Sequence, residues 1–126
     1  MNRASIFVTG AASGIGRATA ELFAQRGWFV GLYDVNETGV RELAAKLGPA
    51  NSCAGRLDVT DAAQFTAALA QFWALALGYV IQPPPPGFDD WESFLESVGV
   101  PEADRDSKSA AVDPEGVGPR LFFQRV

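Results

Sequence analysis

The stretch that decides the fold is TGAASGIG, residues 9–16, which places glycines at Gly10, Gly14 and Gly16. It follows a short apolar run at residues 6–8 and opens a segment whose apolar residues recur at helical spacing. Glycine lets the chain bend sharply between a strand and a helix, and it lets an anion approach the amides that begin the helix. The stretch therefore predicts a strand, a turn suited to an anion, and a helix.

Predicted strands and helices continue to alternate along the first part of the chain. Residues 28–33 are apolar without polar alternation, as in a parallel strand covered on both faces, and they end at Asp34. A second helical pattern stops at Gly48, a more mixed strand at residues 53–57 suits a sheet edge, and Thr60 is expected to cap a third helix. The order βαβαβα predicts an α/β fold: a truncated Rossmann-type parallel sheet with strand order 3-2-1.

The outer edge of the first strand would lie bare in such a sheet. We expect residues 79–82 to follow the third helix as a right-handed crossover and to pair with the first strand, giving the order 3-2-1-4. Residues 121–126 either extend this sheet or form a hairpin with residues 110–112. An edge that stayed open would expose backbone hydrogen-bonding groups and could drive self-association.

The composition changes near Trp73. Residues 1–73 carry six acids and six bases, whereas residues 74–126 carry nine acids, four bases and seven of the eight prolines. The second part is expected to be an irregular, Pro-rich α+β segment. Residues 83–86 are interpreted as a stiff polyproline spacer, with recognition by an SH3-like partner as the alternative.

Charge and residue content exclude several classes of function. A net charge of -5 and an isoelectric point near 4.6 provide no basic field for nucleic acid or an anionic membrane. The absence of histidine removes His-ligated metals and His-based nucleophiles, so we predict no metal site. The single cysteine, Cys53, cannot form an internal disulfide, and the first apolar stretch is too short for a secretory signal. We therefore expect a cytoplasmic protein.

Residues 62–88 contain no charged side chain, so a membrane span has to be weighed against a buried helix followed by a strand. A span needs about 20 apolar residues. This run is borderline in length and is flanked by Asp61 and Asp89 rather than by Lys or Arg. We favour the buried helix, whose apolar face comprises Phe65, Ala68, Leu69, Phe72, Trp73 and Ala76.

An acid completes the pattern that begins at the glycine turn. Asp34 lies 18 residues after Gly16, at the end of the second predicted strand, where it can accept hydrogen bonds from a ribose diol. The alternative is that the glycines serve only a tight turn and that Asp34 caps the following loop. Arg17 either helps to hold a phosphate or is an exposed residue of the first helical turn.

TGAASGIG, the acid in LYDVN and the LDVT segment together resemble the cofactor half of the short-chain dehydrogenase/reductase family, over about residues 5–72. The resemblance implies that the glycine loop holds a pyrophosphate, that Asp34 holds the adenosine ribose, and that Asp58 and Val59 lie along the adenine. The alternative for Asp58 is capping of the third helix. The implied cofactor site comprises Gly10, Ser13, Gly14, Ile15, Gly16, Asp34, Asp58 and Val59.

The expected cofactor is NAD rather than NADP. The Asp34 carboxylate would repel a ribose 2′-phosphate, and neither Ser13 nor Val35 supplies a compensating base. The catalytic serine and Tyr-x-x-x-Lys pair of the family do not occur in this sequence, since its only tyrosines are Tyr33 and Tyr79, and Pro83 stands four residues after the latter. We therefore predict dinucleotide binding without turnover, and no catalytic residue.

The second part resembles a different family. GYVIQPPPPGFDDWESFL and AAVDPEGVGPRLFFQRV are similar to the glyoxalase-like branch of the vicinal-oxygen-chelate superfamily, whose units are βαβββ, over about residues 62–126. The two resemblances imply a dinucleotide-binding half-domain at residues 1–73 and a glyoxalase-like fragment at 74–126, joined inside one helix. Three interpretations stay open: an NAD-binding fragment of an oxidoreductase, a glyoxalase-like binding or lyase unit, or a fusion without function.

The acids of the second part could imitate paired carboxylates, but a solvated face is the favoured interpretation. The pairs are Glu92 and Glu96, on a predicted helix with an apolar stripe, and Asp104 and Asp106, on either side of Arg105. The stripe consists of Trp91, Phe94, Leu95 and Val98.

Overall fold

The structure is a computed structural model that describes residues 3–105 and 108–124. Its first part contains β1 (Ser5–Thr9), α1 (Gly14–Gln25), β2 (Phe29–Asp34), α2 (Glu37–Leu47), β3 (Ser52–Arg56) and α3 (Ala62–Leu77). Its second part contains β4 (Val80–Ile81), α4 (Trp91–Ser97), a 3-10 turn (Glu102–Asp104), β5 (Lys108–Val112) and β6 (Leu121–Gln124).

The first three strands form one parallel sheet, here called sheet A, in the order β1-β2-β3. Ser5 lies opposite Phe29 in β2, and Val30 lies opposite Ser52 in β3. The predicted α/β fold and the 3-2-1 order are therefore confirmed, as is the placement of the third strand at a sheet edge.

Helices cover both faces of sheet A. Alternate residues of β2 point to opposite faces: Val30 and Leu32 pack with α1 and α2, whereas Phe29 and Tyr33 pack with α3. The five residues at 29–33 are all buried, as the unbroken apolar run predicts for a parallel strand. The face of α3 that contacts sheet A contains five of the six predicted residues, without Leu69: Ala68 and Phe72 are buried beside Phe65, Trp73 and Ala76.

Gly31 sets the distance between α3 and sheet A. A Cβ at this position would lie 2.5 Å from Cδ2 of Phe72, whose side chain is completely buried. The Phe72 ring also contacts the rings of Phe7 at 5.3 Å and Phe29 at 6.0 Å between centroids. The missing side chain at residue 31 therefore gives the aromatic core on this side of sheet A the space that it needs.

The expected pairing of residues 79–82 with the first strand is wrong. The strand in this region, β4, pairs antiparallel with β5, with Val80 opposite Val112 and Ile81 opposite Ala111. Together with β6 these strands form a second, antiparallel sheet, here called sheet B, in the order β4-β5-β6. Within the described residues, sheet A therefore has no fourth strand beyond β1.

Local sequence limits the length of the strand that follows α3. Gly78 ends α3 in the left-handed conformation, with φ of 71°, and β4 is only 2 residues long before the prolines at 83–86 begin. Prolines lack the N–H that a sheet ladder requires. The short extended segment instead joins the hairpin of β5 and β6, in which Ala110 lies opposite Phe122. The predicted hairpin is confirmed for residues 121–124, while residues 125–126 lie outside the described part.

Helix α3 links the two sheets. It packs against β1 and β3 of sheet A and also against all three strands of sheet B. Besides the residues that face sheet A, it buries Thr66, Ala70 and Ala74, which recur every four residues along one stripe. The helix runs without a break through residue 73, where the composition changes.

The start of α3 differs from the expectation. Its N-cap is Asp61, not Thr60, and the Asp61 carboxylate accepts a hydrogen bond from the backbone N–H of Gln64 at 3.1 Å. An N-cap side chain serves the amides two or three residues further on, so a shift of one residue changes which cap fits. No helix in the described ranges, 3–105 and 108–124, has both the length and the apolarity to cross a membrane.

Helix α4 is held by a small aromatic group and one ion pair. The Phe94 ring packs edge-on against Phe88 at 5.3 Å and Trp91 at 5.7 Å, whereas Val98 is exposed. The Glu92 carboxylate pairs with Arg105 at 2.5 Å. Glu92 therefore ties α4 to the chain that follows it, and Asp106 lies outside the described residues.

Candidate functional site

The glycine loop between β1 and α1 leaves open space in front of its backbone. Gly10 and Gly14 have φ of 68° and 57°, in the left-handed region that glycine adopts without a Cβ penalty. No described heavy atom would lie within 4 Å of a Cβ at either position. Gly16 is needed for a steric reason: a Cβ at this position would lie only 2.2 Å from the carbonyl oxygen of Gly10. The loop can therefore turn tightly against α1 while its outer side stays accessible.

The first turn of α1 is capped differently from the other helices. Asn36, Asp61 and Asp90 cap α2, α3 and α4 through their side chains, whereas the Ser13 side chain makes no capping hydrogen bond to any described residue. The amides of this turn carry the positive end of the helix dipole. Ile15, in the same turn, is 87% exposed. This helix start has donors for an anion and an apolar side chain for a ligand to cover.

The Asp34 carboxylate lies beside the glycine loop. Its Oδ2 accepts a hydrogen bond from the backbone N–H of Ala12 at 3.1 Å, and its Oδ1 accepts one from the backbone N–H of Asn36 at 2.9 Å. The N–H of Ala11 donates to the carbonyl of Tyr33 at 3.2 Å, which adds a second link between the loop and the end of β2. A carboxylate has about four acceptor positions, so two remain for a ligand.

Asp58 and Val59 follow β3 at the same edge of sheet A. Asp58 Oδ1 accepts hydrogen bonds from the Thr60 hydroxyl at 2.6 Å and the Thr60 N–H at 2.9 Å. Both hydrogen bonds lower the pKa of Asp58, and the one from the Thr60 hydroxyl has the larger effect. The positive charge of nearby Arg56 lowers it further. Asp58 is therefore a carboxylate near neutral pH, and Val59 is 57% exposed.

The alternative role of Asp58, capping of the third helix, does not match the structure. Asp61 occupies the capping position, and the Asp58 side chain instead closes a turn with Thr60. The backbone N–H of Asp58 donates to Oε1 of Gln64 at 3.2 Å. The contacts of Asp58 with Gln64 and with Thr60, which was predicted only as a helix cap, were missed from the sequence, although an Asp followed two residues later by Thr is a recognisable turn signal.

The structure brings the candidate residues to one edge of sheet A. The loop follows β1, Asp34 ends β2, and Asp58 follows β3; the carboxyl ends of parallel strands meet at the same edge. Exposed apolar side chains stand at each of these three places: Ile15, Val35 and Val59. The backbone N–H of Ala12, which the sequence analysis missed, fixes the position of Asp34.

One arginine in each of α1 and α2 is paired with an acid of the same helix. Arg17 lies 3.1 Å from the Glu21 carboxylate, and Arg41 lies 2.9 Å from that of Glu37, each one helical turn away. The structure thus places Arg17 in an ion pair along α1. Such exposed pairs are weak, and they leave both arginines able to rearrange.

The two tyrosines have no lysine four residues after them. Tyr33 is a core residue that stacks on Phe7 with 4.6 Å between ring centroids. Burial raises the pKa of its phenol, and its hydroxyl lies 3.7 Å from the sulfur of Cys53. Burial likewise raises the pKa of the Cys53 thiol. Tyr33 is therefore part of the packing beneath the site.

Several dehydrogenases are similar to the first part of this chain. The short chain dehydrogenase family model matches residues 4–79. An NAD-dependent glycerol dehydrogenase of Listeria innocua is 49% identical over 53 residues, which are 42% of this chain and 20% of that protein. A sorbitol dehydrogenase of Cereibacter sphaeroides is 45% identical over 64 residues, which are 51% of this chain and 25% of that protein.

Solved structures match in the same way. A short chain dehydrogenase/reductase from Burkholderia phymatum in complex with NAD is 34% identical with a TM-score of 0.56, over 62% of this chain and 28% of that one. A 3-ketoacyl-ACP reductase from Sinorhizobium meliloti is 36% identical with a TM-score of 0.54, over 60% of this chain and 30% of that one. The chain spans a fifth to a third of the length of these proteins, and the family model covers more than half of the chain. The chain therefore belongs to the short chain dehydrogenase family.

Proposed function

We propose that this chain binds NAD at the carboxyl edge of sheet A and does so in preference to NADP. The observation that carries the proposal is the Asp34 carboxylate, held beside the glycine loop by the Ala12 N–H at 3.1 Å. The NAD named in the Burkholderia phymatum structure supports a nicotinamide dinucleotide as the class of ligand.

The residues present fit such a ligand. The open space at Gly10 and Gly14 would admit a pyrophosphate to the first-turn amides of α1, where the helix dipole favours negative charge. Asp34 would accept hydrogen bonds from the adenosine ribose diol with its two free acceptor positions. Asp58 and Val59 would lie along the adenine, where a carboxylate can accept from the exocyclic amine and an exposed valine can be covered.

Charge explains the preference for NAD. A 2′-phosphate would replace a hydroxyl that donates to Asp34 by a group that repels it. Ser13 and Val35 carry no positive charge. Arg56 lies opposite Asp34 in the register of β2 and β3 and acts on Asp58, while Arg17, next to the loop, is paired with Glu21. Arg17 is therefore proposed to support the helix surface rather than to hold phosphate.

We also propose that this chain binds NAD without turning it over. The family's serine and Tyr-x-x-x-Lys pair do not occur in the sequence, and Tyr33 is buried in the core with a raised pKa. Without these groups, we expect no side chain of this chain to be positioned to exchange a proton with an alcohol or a carbonyl substrate. The expected result is binding of NAD with no catalytic residue in this chain.

A second candidate function concerns residues 74–126, which we propose as a glyoxalase-like fragment joined to the dinucleotide-binding half at 1–73. The supporting observation is that the three strands after α3 form a separate antiparallel sheet, as in a βαβββ unit without its first strand, with α4 and the 3-10 turn inserted between β4 and β5. Because α3 packs against both sheets, it is the element in which two unrelated segments could be joined. The remaining interpretation is a fusion without function.

Titration of the purified chain with NAD and NADP tests the first proposal. We expect saturable NAD binding by calorimetry and at least about tenfold weaker NADP binding, since one ion-dipole contact becomes a repulsion. Equal or tighter NADP binding would overturn the preference, and no NAD binding at millimolar concentration would overturn the proposed function. Incubation with NAD and either glycerol or sorbitol should give no NADH absorbance, and formation of NADH would refute the absence of turnover.

A further inference from the structure

We infer that the chain recognises only the adenosine diphosphate half of a dinucleotide, so that its ligand class is any adenine nucleotide with a diphosphate. The chemical group attached to the second phosphate would then have little effect on the affinity of the ligand. The inference rests on the proposed function and goes beyond it, because it makes ADP and ADP-ribose ligands as good as NAD.

The topology of sheet A is the first step. Sheet A and its crossover helices form one βαβαβ unit, with strands in the order β1-β2-β3. A dinucleotide-binding sheet contains two such units and holds its ligand across the crevice where the strand order reverses, next to the first strand. In the described residues the sheet stops at β1, and the next strand along the chain, β4, pairs with β5 in sheet B. Residues 3–105 and 108–124 therefore contain one mononucleotide-binding half without its counterpart.

The distribution of the candidate groups is the second step. The loop follows β1, Asp34 ends β2, and Asp58 follows β3. In sheet A, β2 and β3 both lie on the same side of β1, so the candidate groups are confined to β1 and to that side. The nucleoside beyond the second phosphate would extend past β1 to the other side. There, sheet A offers it no described strand end, loop or helix N-terminus.

The charge of the second part is the third step. Residues 74–126 carry nine acids and four bases, so this part adds no net positive field that would hold a further anionic group of a ligand. Three of its described charged side chains are engaged locally: Arg105 with Glu92 and the Val100 carbonyl, and Asp113 with the amides of a turn. The Arg120 guanidinium stacks over the Phe122 ring, so the contacts of both described arginines of this part lie within the part itself.

The ordering of ligand affinities follows from these three steps. ADP, ADP-ribose, NAD in its oxidised form and NADH share the adenosine, both ribose hydroxyls of that adenosine and the diphosphate. They should therefore bind with dissociation constants within about threefold of one another. AMP lacks one of the two phosphates that the loop would hold and should bind about tenfold more weakly. Nicotinamide mononucleotide lacks the adenosine and should neither bind nor compete.

Calorimetric titration of the full chain with these six ligands tests the inference. Tighter binding of NAD than of ADP by about tenfold or more, or competition by nicotinamide mononucleotide, would overturn it while leaving the proposed function intact. AMP binding as tight as ADP binding would also overturn it, since the loop would then not hold a diphosphate. Failure of every adenine nucleotide to bind would overturn the proposed function as well.

A variant provides the internal check. Asp34→Asn removes the charge from the group proposed to hold the adenosine ribose, so it should weaken ADP, ADP-ribose, NAD and NADH by the same factor. Glu42→Gln removes a carboxylate from an exposed position on α2 and should leave all four affinities unchanged. A variant that weakened NAD binding but not ADP binding would contradict a shared adenosine diphosphate site.

Discussion

The Asp34 carboxylate and the backbone N–H of Ala12 lie 3.1 Å apart in a hydrogen bond that joins the end of β2 to the glycine loop. This contact spans two consecutive strands of sheet A at the edge where their carboxyl ends meet. It places a negative charge beside the loop, close to the start of α1, without using all the acceptor positions of the carboxylate. The adenosine side of the candidate site is thereby assembled from two segments that are 22 residues apart in sequence.

Asp34→Asn tests the role of this charge in binding. An amide retains only one acceptor atom, so it can keep one of the two backbone hydrogen bonds and loses the charge that strengthens a ribose contact. We expect NAD binding to weaken by about tenfold or more. We also expect the ratio of NAD to NADP affinity to fall, because the repulsion of a 2′-phosphate is removed.

Calorimetry with both dinucleotides measures these changes, and thermal unfolding measured in parallel separates lost binding from lost structure. The exposed-surface variant Glu42→Gln is the matched control for a change of one charge. An unchanged NAD to NADP ratio in Asp34→Asn would show that this carboxylate does not set the preference.

Gly16→Ala tests the close contact between α1 and the loop. The new Cβ would lie 2.2 Å from the Gly10 carbonyl oxygen, and backbone atoms cannot move aside cheaply. We expect a loss of about 3 kcal/mol in the free energy of unfolding, together with loss of nucleotide binding. Urea denaturation provides the measurement.

Gly14→Ala is the comparison for that variant. No described atom lies within 4 Å of its Cβ position, so its cost comes only from the positive φ of 57° and should be about 1 kcal/mol. If the two alanine variants were equally stable, the steric explanation for Gly16 would be wrong.

Gly31→Ala tests the packing between β2 and α3. Its Cβ would lie 2.5 Å from the Phe72 ring, which is fully buried among other aromatic rings and has little room to move. We expect a loss of about 2 kcal/mol in unfolding free energy. Phe72→Leu removes the ring edge, so the double variant should be more stable than the sum of the two single changes predicts. Strict additivity in this cycle would rule out the clash.

Asp113→Asn tests a turn between β5 and β6. The Asp113 carboxylate accepts hydrogen bonds from the backbone N–H groups of Gly118 at 2.7 Å, Glu115 at 2.9 Å and Val117 at 3.2 Å. These bonds, the one from Gly118 first, lower the pKa of Asp113 below its usual value of 3.8. A carboxylate with a lowered pKa contributes stability that is present above its unfolded pKa and disappears as the pH falls through the folded one.

We therefore expect Asp113→Asn to reduce stability at neutral pH and to flatten the loss of stability that sets in as the pH falls below the usual carboxyl pKa of 3.8. Unfolding curves recorded at several pH values check both expectations. Asp89→Asn, at an exposed position before α4, is the control for a simple loss of negative charge. Parallel acid profiles for the wild-type chain and Asp113→Asn would contradict the assigned role of these hydrogen bonds.

Hydrogen exchange tests the free edge of sheet A. The N–H of Phe29 donates to the Ala4 carbonyl at 2.9 Å, and Ser5 lies opposite Phe29, so Ile6 and Val8 direct their backbone groups to β2. The backbone N–H and C=O of Phe7 point away from β2, to the outer edge of sheet A. We expect its amide to exchange faster than those of Ile6 and Val8 in a dilute sample, and to slow as concentration rises if copies pair at this edge.

Much of sheet A could be predicted because its signals are local. The apolar run that ends at Asp34 is long enough to identify a strand covered on both faces, and helical spacing identified Phe72 and Ala68 as core residues. The glycine spacing predicted a turn that the backbone of Gly10 and Gly14 adopts. The helix start was missed by one residue, because Thr60 and Asp61 are both good caps and only the folded backbone selects between them.

The sequence by itself determined the order βαβαβα, the two apolar faces of the sheet and the position of the acid at the end of β2, since periodicity and turn chemistry are properties of neighbouring residues. Only the tertiary structure decided that β4 joins β5 instead of β1. A strand of 2 residues carries no pattern, and its partner depends on which sheet edge lies within reach after α3 ends at Gly78. The same holds for the bond from Ala12 to Asp34, because its two ends meet only when β1 and β2 are paired.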